Sequence, residues 1–165
     1  MYEYNCKVVN IVDGDTVDVD IDLGFGVQLT DERVRIMGID TPESRTSDEV
    51  EKVFGKAAKA RLESLMGESC VLKTQINKDG EDMKGKFGRI LGDFISDKDG
   101  EECSVVTALM EAGHCVDYYG GSKDELYERH MANRDRLMSE GCIDMKAYKK
   151  AVAYMEKQAL KKKKK

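Results

Sequence analysis

Two short stretches of the sequence place carboxylates beside turns. The first is DGDT at residues 13–16, and the second is DTPE at residues 40–43. Their acidic side chains include Asp15, Asp40 and Glu43, which offer oxygen ligands of the kind that hard divalent cations prefer. If the two turns converge in the fold, the sequence predicts a cation site.

The single proline of the chain lies inside the second stretch. Pro42 disfavours a helical conformation for the preceding residue, so we expect Thr41 to be extended. That conformation would fix the directions of the Thr41 carbonyl and of the Asp40 side chain. Each stretch by itself is also typical of an ordinary turn, so the cation site remains a hypothesis about the fold.

Two arginines are candidate anion binders, because a guanidinium fork matches the geometry of a phosphate. Arg35 lies on a predicted strand, five residues before Asp40. Arg89 ends the stretch GKFGR and follows Gly88, where the backbone can approach a ligand closely. For each arginine taken separately, a surface salt bridge is the alternative interpretation.

Other motifs are weaker. The acidic run at residues 18–24 is not an EF-hand, because Leu23 replaces the required glycine and Leu29 replaces the bidentate glutamate. We interpret the run as the solvated face of a strand. His114 and His130 have no companion at a metal-motif spacing, and we expect neither to be catalytic.

Two adjacent tyrosines precede the loop sequence GGSK. Tyr118 and Tyr119 could stack on nucleic-acid bases if the loop exposes them. Partial burial against the rest of the domain is the alternative, and the sequence does not favour one over the other.

Charge is unevenly distributed along the 165 residues. The net charge is −5, but the last nine residues carry six lysines. Without these nine residues the chain has 21 basic and 32 acidic residues, which gives a net charge of −11. An acidic body argues against non-specific nucleic-acid binding through the whole surface, but it suits a divalent cation. The lysine tail could tether phosphates or could be a solubilising end.

Cysteine usage and the first residues indicate an intracellular protein. The five cysteines are scattered and form no CxxC pair, which favours reduced thiols over structural zinc. The start, MYEYNCKVVN, lacks the basic and apolar regions of a secretory signal. No stretch approaches the length of a membrane span, so we expect a cytoplasmic location without membrane contact.

Hydrophobic periodicity predicts an α+β fold. Apolar residues alternate with aspartates in TVDVDID, and we expect the Asp13–Gly14 pair to turn the chain through positive φ. We predict two strands within residues 4–23, further strands at 27–39, 69–77 and 87–95, and helices at 45–67, 103–113, 122–141 and 144–160. Five strands in this order suit a small closed β-barrel of OB type with three packed helices and a helical, lysine-rich C-terminal extension.

In combination these motifs resemble the staphylococcal nuclease (thermonuclease) family. The strand–DGDT–strand unit, VRIMGIDTPE, a helix and GKFGR occur in the family's order, from about Tyr4 to about Gly141. The resemblance implies a nuclease domain at residues 1–142, followed by a helical extension with a flexible lysine tail at residues 143–165. The missing secretion signal suggests an intracellular, phage-borne or plasmid-borne member rather than an exported one.

The resemblance also implies roles for the acidic candidates. Asp15 and Asp40 correspond to the family's calcium-binding carboxylates, and Thr41 corresponds to its backbone-carbonyl ligand. Glu43 corresponds to the carboxylate that serves as general base or orients the attacking water. The implied cofactor is therefore Ca²⁺.

The basic and aromatic candidates acquire roles in the same way. Arg35 and Arg89 correspond to the guanidiniums that bind the scissile phosphate, and Lys86 to a lysine beside a terminal phosphate. Tyr118 and Tyr119 fall where the family has nucleotide-contacting tyrosines.

The implied activity is calcium-dependent hydrolysis of phosphodiester bonds in DNA and/or RNA, with low sequence specificity and 3′-phosphate products. We expect a monomer without an obligate protein partner. Two alternatives remain. One is a catalytically silent relative that serves as a nucleic-acid-binding or scaffold module, and the other is a plain OB-type single-strand binder.

Overall fold

The computed structural model describes residues 2–76, 78–79, 84, 88–98, 101–118 and 122–163. Strands and helices alternate in an α+β order. In chain order the elements are β1 (Glu3–Asp13), β2 (Thr16–Asp22), β3 (Gln28–Ile36), β4 (Ile39–Asp40), α1 (Glu49–Leu65), β5 (Ser69–Thr74), β6 (Ile90–Lys98), β7 (Glu101–Ser104), α2 (Val105–Glu111), β8 (Val116–Asp117), α3 (Lys123–Ser139) and α4 (Met145–Lys163).

Five of the strands form a closed barrel. The sheet order is β3-β2-β1-β5-β6, with antiparallel neighbours, and a parallel pairing of β3 with β6 closes the ring. In that closing pair Arg35 lies opposite Leu91, so Arg89 ends up at the same end of the barrel as Arg35. The predicted OB-type barrel with surrounding helices is confirmed.

The apolar residues of the strands fill the barrel. Alternation in β2 buries its three aliphatic side chains, as predicted, and the core continues through β3, β5 and β6 to α1 and α2. The acidic face of β2 is less solvated than predicted, because Asp18 is only 6% exposed. Its carboxylate receives two hydrogen bonds from Arg33, at 2.7 and 3.0 Å, and this pairing makes its burial tolerable.

Some element boundaries differ from the sequence prediction. Cys103 and Ser104 belong to β7 rather than to the following helix. α2 starts at Val105 because the Ser104 side chain caps it, accepting a hydrogen bond from the Thr107 amide. The short pair of β4 with β8 was not predicted, since two-residue strands carry no periodicity.

The C-terminal helix packs on the domain. Phe54 of α1, Leu137 of α3 and Ile143 form a second buried cluster. Tyr148 of α4 meets the Phe54 ring edge-on, with 6.0 Å between the ring centroids. α4 runs to Lys163, three residues beyond the predicted helix. The division of the chain at residue 142 and the flexibility of the tail stay predictions. Among the described helices, none combines the length and the apolarity that crossing a membrane requires.

A glycine in α1 lets the helix approach the DTPE segment. A Cβ added to Gly55 would lie 2.4 Å from the carbonyl carbon and oxygen of Glu43 and 2.5 Å from the Ser44 amide nitrogen. The helix itself begins at Glu49, because the Asp48 side chain accepts hydrogen bonds from two amides of the first turn. α1 therefore packs directly against the backbone at Glu43 and fixes its position.

We expect Gly55→Ala to destabilise the fold by about 1–3 kcal/mol, although alanine is the better helix former. The clash is with backbone, which cannot move aside as a side chain can. Urea unfolding would measure the change. Gly67→Ala is the matched control, because its Cβ would meet its nearest neighbour, the Ser69 carbonyl oxygen, at 3.6 Å, an ordinary contact. Equal stability of the two variants would contradict this account of Gly55.

A buried histidine makes the stability depend on pH. Burial lowers the pKa of His114 below its ordinary value of 6.5, and the positive charges of Arg61 and Arg136 lower it further, while Glu140 opposes them. Below about pH 6.5 the unfolded chain therefore binds a proton that the folded chain binds only at lower pH.

We expect the free energy of unfolding to fall as the pH drops below about 6.5, with His114 contributing at most about 1.4 kcal/mol per pH unit. Urea unfolding of the wild type and of His114→Gln at several pH values would isolate this contribution. The variant should show the smaller loss of stability. Parallel pH profiles of the two proteins would rule out His114 as the cause.

Candidate active site

The residues of both acidic turns line one cleft of about 720 Å³. Six sequence-predicted site residues lie around it: Asp15, Arg35, Asp40, Thr41, Glu43 and Arg89. The remaining lining residues are mostly charged or small: Val12, Asp13, Thr16, Asp18, Asp31, Glu32, Arg33, Arg45 and Gly88. The convergence of the two turns is therefore a feature of the structure.

Asp13 joins the two turns directly. Its Oδ1 accepts hydrogen bonds from the Gly14 amide at 3.0 Å and from the Ser44 amide at 3.2 Å. Ser44 directly follows DTPE, so this one carboxylate connects the start of the first motif to the end of the second.

Gly14 is needed for close packing rather than for a left-handed turn. The expectation of positive φ at Gly14 is wrong, because its φ lies outside the left-handed region. A Cβ at this position would lie 2.9 Å from the Ala58 Cβ and 3.1 Å from the Thr41 Oγ1. The first turn therefore packs against both α1 and the second turn.

Asp15 is a buried carboxylate with two polar partners. Its Oδ1 accepts a hydrogen bond from the Thr16 hydroxyl at 2.8 Å, and its Oδ2 lies 3.0 Å from Nη2 of Arg35. Burial nevertheless raises the pKa of Asp15 above its ordinary value. Arg35 and Thr16 oppose the rise, whereas the neighbouring charges of Asp40 and Asp13 add to it. The local partners thus do not offset the cost of burying this charge.

Arg35 connects the two candidate metal ligands. Its Nη2 lies 3.0 Å from Oδ2 of Asp15 and 3.5 Å from Oδ1 of Asp40. Arg35 lies opposite Thr16 across the β2–β3 ladder, which holds it beside the first turn. The two carboxylates therefore converge within reach of a single positive group.

This donor set fits a hard divalent cation. Asp15 and Asp40 supply carboxylate oxygens, and the charge of Asp15 is only partly balanced by Arg35. Asp18 provides a contrast, because the hydrogen bonds from Arg33 hold its pKa below the ordinary value. Within the described residues, no three His, Cys, Asp or Glu side chains form a metal cluster. A bound cation would therefore need further oxygens, such as a backbone carbonyl and water.

The candidates for water activation and phosphate binding lie at the rim. Glu43 is exposed, and its amide donates to the Glu51 carboxylate at 3.3 Å. Arg89 is partly buried and directly precedes β6. Both line the cleft that contains Asp15 and Asp40.

The predicted nucleotide contacts are less well placed. Lys86 and Tyr119 lie outside the described residues. Tyr118 is exposed but is not among the described residues that line the cleft. Its amide donates to the Gly38 carbonyl at 2.8 Å, which extends the pairing of β4 with β8. The role of these three residues stays a prediction.

Sequence reasoning missed two residues beside the carboxylates. His130 of α3 lies with Nε2 2.9 Å from Oδ2 of Asp40. Cys115 is buried, and burial together with the charges of Asp15 and Asp40 raises its pKa to about 12. Its thiol therefore stays protonated near neutral pH. No spacing rule could identify either residue, because each reaches the site from a distant part of the chain.

The fold and the cleft define an OB-type barrel with an acidic, arginine-lined site at one end. A family model described as "Staphylococcal nuclease homologue" matches residues 33–165. The chain belongs to this family, as the sequence motifs predicted. The matched region includes Arg35, Asp40, Thr41, Glu43 and Arg89 and begins after the DGDT turn. A comparison with curated proteins finds no match.

We expect Asp15→Asn to raise the free energy of unfolding at neutral pH in the presence of a chelator. The raised pKa means that the charged carboxylate disfavours folding above pH 3.8, and each unit of such a shift is worth about 1.4 kcal/mol. An amide of the same shape removes that cost. Urea unfolding would measure the change.

Asp18→Asn is the matched control for this substitution. Its carboxylate has a lowered pKa because of Arg33, so its ionised form stabilises the fold and its loss should destabilise the protein. The two substitutions should therefore have opposite signs. A loss of stability in both would contradict the interpretation of Asp15 as an uncompensated charge.

Proposed function

We propose that this protein is a calcium-dependent nuclease that hydrolyses phosphodiester bonds of DNA and/or RNA. The observation that carries the proposal is the convergence of Asp15, Asp40, Glu43, Arg35 and Arg89 on one cleft. Family membership supports the same class of activity.

Asp15, Asp40 and the carbonyl of Thr41 would hold the cation. A bound Ca²⁺ supplies Lewis-acid polarisation of a non-bridging phosphate oxygen. The partly balanced charge of Asp15 supports this assignment, since a divalent cation would offset the burial cost that Arg35 leaves.

Arg35 and Arg89 would bind the scissile phosphate. The hydrogen bond and ion pairs described for Arg35 all use Nη2, and a guanidinium carries five N–H donors, so the same side chain can also bind a phosphate oxygen. Negative charge grows on the non-bridging oxygens as phosphorus becomes five-coordinate. Two positive groups fixed beside that position stabilise the transition state more than the ground state.

Glu43 would orient and deprotonate the attacking water. The water oxygen forms a bond to phosphorus, its proton passes to the Glu43 carboxylate, and the bond from phosphorus to the 5′ oxygen breaks. The leaving 5′ oxygen takes up a proton from solvent water, and the phosphate stays on the 3′ side. Because these contacts involve phosphate rather than base edges, we propose low sequence specificity.

The test is cleavage of an end-labelled single-stranded DNA and of the matching RNA, with Ca²⁺, with Mg²⁺ and with chelator. We expect Ca²⁺-dependent cleavage that leaves 3′-phosphate ends. Arg35→Ala and Arg89→Ala should each lower kcat about 10²–10³-fold. Glu43→Ala should lower it about 10²–10⁴-fold, as expected for loss of a general base.

Glu63→Ala provides the matched control, because Glu63 is an exposed carboxylate on α1 that is not among the described lining residues. It should keep wild-type turnover. Binding of the oligonucleotides without cleavage under any metal would refute the proposal. That result would favour a catalytically silent binding module of the same fold.

A further inference from the structure

α3 contacts Asp40 through the side chain of His130. The Nε2 of His130 lies 2.9 Å from Oδ2 of Asp40, and the His130 side chain is only 14% exposed. An ionised carboxylate can only accept, so the imidazole donates this hydrogen bond through Nε2–H. The other carboxylate oxygen of Asp40, Oδ1, faces Arg35 at 3.5 Å. Each carboxylate oxygen of Asp40 therefore has its own partner, His130 for Oδ2 and Arg35 for Oδ1.

The position of His130 is fixed by its neighbours on the same helix. Arg129 donates to the Asp117 carbonyl at 3.1 Å and also forms an ion pair with the Asp117 side chain. Asn133 donates to the Cys115 carbonyl at 3.0 Å. These contacts attach α3 to β8 and to the residue before it, and β8 in turn pairs with β4, which carries Asp40. The hydrogen bond of His130 to Asp40 is therefore part of a well-anchored helix–strand contact.

We propose that His130 is a positioning residue, which holds one oxygen of Asp40 so that the other points toward Asp15 and a cation shared by the two carboxylates. This inference rests on the proposed function, since it assigns the cation to Asp15 and Asp40. His130 is not among the described residues that line the cleft, so it acts through Asp40 rather than on the substrate. Hydrogen bonds of this kind orient metal-binding side chains, and their loss costs about 10–100-fold in metal affinity or activity.

The contact also explains how a distant helix completes the cation site. Asp40 belongs to a two-residue strand, and its side chain is 34% exposed, so its carboxylate needs an external constraint to keep one rotamer. A side chain from α3 supplies that constraint across 90 residues of sequence. A rigid carboxylate loses less conformational entropy when it binds a cation, which raises the affinity.

The experiment compares the Ca²⁺ dependence of thermal stability in the wild type, His130→Ala and His130→Gln. A ligand that binds only the folded state raises the free energy of unfolding by RT ln(1 + c/Kd), where c is the concentration of free ligand. A fit of the rise in Tm with Ca²⁺ concentration therefore gives the concentration of half-occupancy, here called the Ca²⁺ midpoint, without any cleavage.

We expect His130→Ala to raise the Ca²⁺ midpoint about 10–100-fold. His130→Gln retains an N–H donor of similar reach and should lie between His130→Ala and the wild type. Cleavage by His130→Ala should recover at high Ca²⁺, because the substitution weakens cation binding and leaves the catalytic side chains in place.

Arg129→Gln is the control for a purely structural effect. It removes one of the two attachments of α3, the one to Asp117, while the hydrogen bond of Asn133 to the Cys115 carbonyl still holds His130 beside Asp40. The substitution should therefore lower Tm and leave the Ca²⁺ midpoint unchanged. Equal midpoints in the wild type and His130→Ala would overturn the inference. A Ca²⁺ midpoint that shifts as much in Arg129→Gln as in His130→Ala would also overturn the inference. So would a Ca²⁺ midpoint of His130→Gln that lies no closer to the wild-type value than that of His130→Ala.

The outcomes also separate this inference from the proposed function. Ca²⁺ binding that depends on His130, without cleavage of DNA or RNA, would leave the inference standing and refute the nuclease activity. A wild-type protein whose Tm does not respond to Ca²⁺ would overturn both.

Discussion

The closing pair of the barrel is the constraint on which the site depends. β3 and β6 come from different halves of the chain, and their parallel pairing brings Val34 opposite Ile90 and Arg35 opposite Leu91. Arg89 directly precedes this ladder, so barrel closure places both arginines at the same end. The DGDT turn lies at that end as well, because it joins β2 to β1 beside Arg35. A barrel that failed to close would retain each motif but would not assemble the cleft.

Among the described residues, the two buried aspartates, Asp15 and Asp18, both line the cleft. Asp15 is buried, and its pKa is raised despite the adjacent guanidinium of Arg35. Asp18, on the same strand as Thr16, is buried to a similar degree, but two hydrogen bonds from Arg33 compensate its charge. The two aspartates thus differ in that the charge of Asp18 is compensated by an ion pair, whereas the charge of Asp15 is only partly compensated, as the proposed role of a cation ligand requires. Functional sites commonly contain groups whose burial lowers the stability of the fold, and the packed core elsewhere offsets this loss of free energy.

Glycines set the distances between the elements of the site. Gly55 lets α1 rest against the backbone at Glu43, and Gly14 lets the first turn pack against Thr41 and Ala58. In neither case does the glycine serve a left-handed conformation. Both glycines lack a side chain, so α1 comes into van der Waals contact with the backbone at Glu43, and the first turn comes into contact with Thr41 and Ala58. The positions of Glu43 and Asp15 therefore depend on packing as much as on their own turns.

The sequence by itself determined the barrel and helices, the family and the local chemistry of each motif. Alternation in β2 is a local signal that can be read from neighbouring residues, and the order of the motifs along the chain identified the family. Only the tertiary structure decided that Asp13 joins the two turns, that Asp18 is buried and that His130 reaches Asp40. These contacts span 31, 15 and 90 positions of the chain. They depend on the register of the β2–β3 ladder, in which Asp18 lies opposite Arg33, on the packing of the two turns and on the docking of α3 on β8. No short-range pattern of residues encodes these contacts.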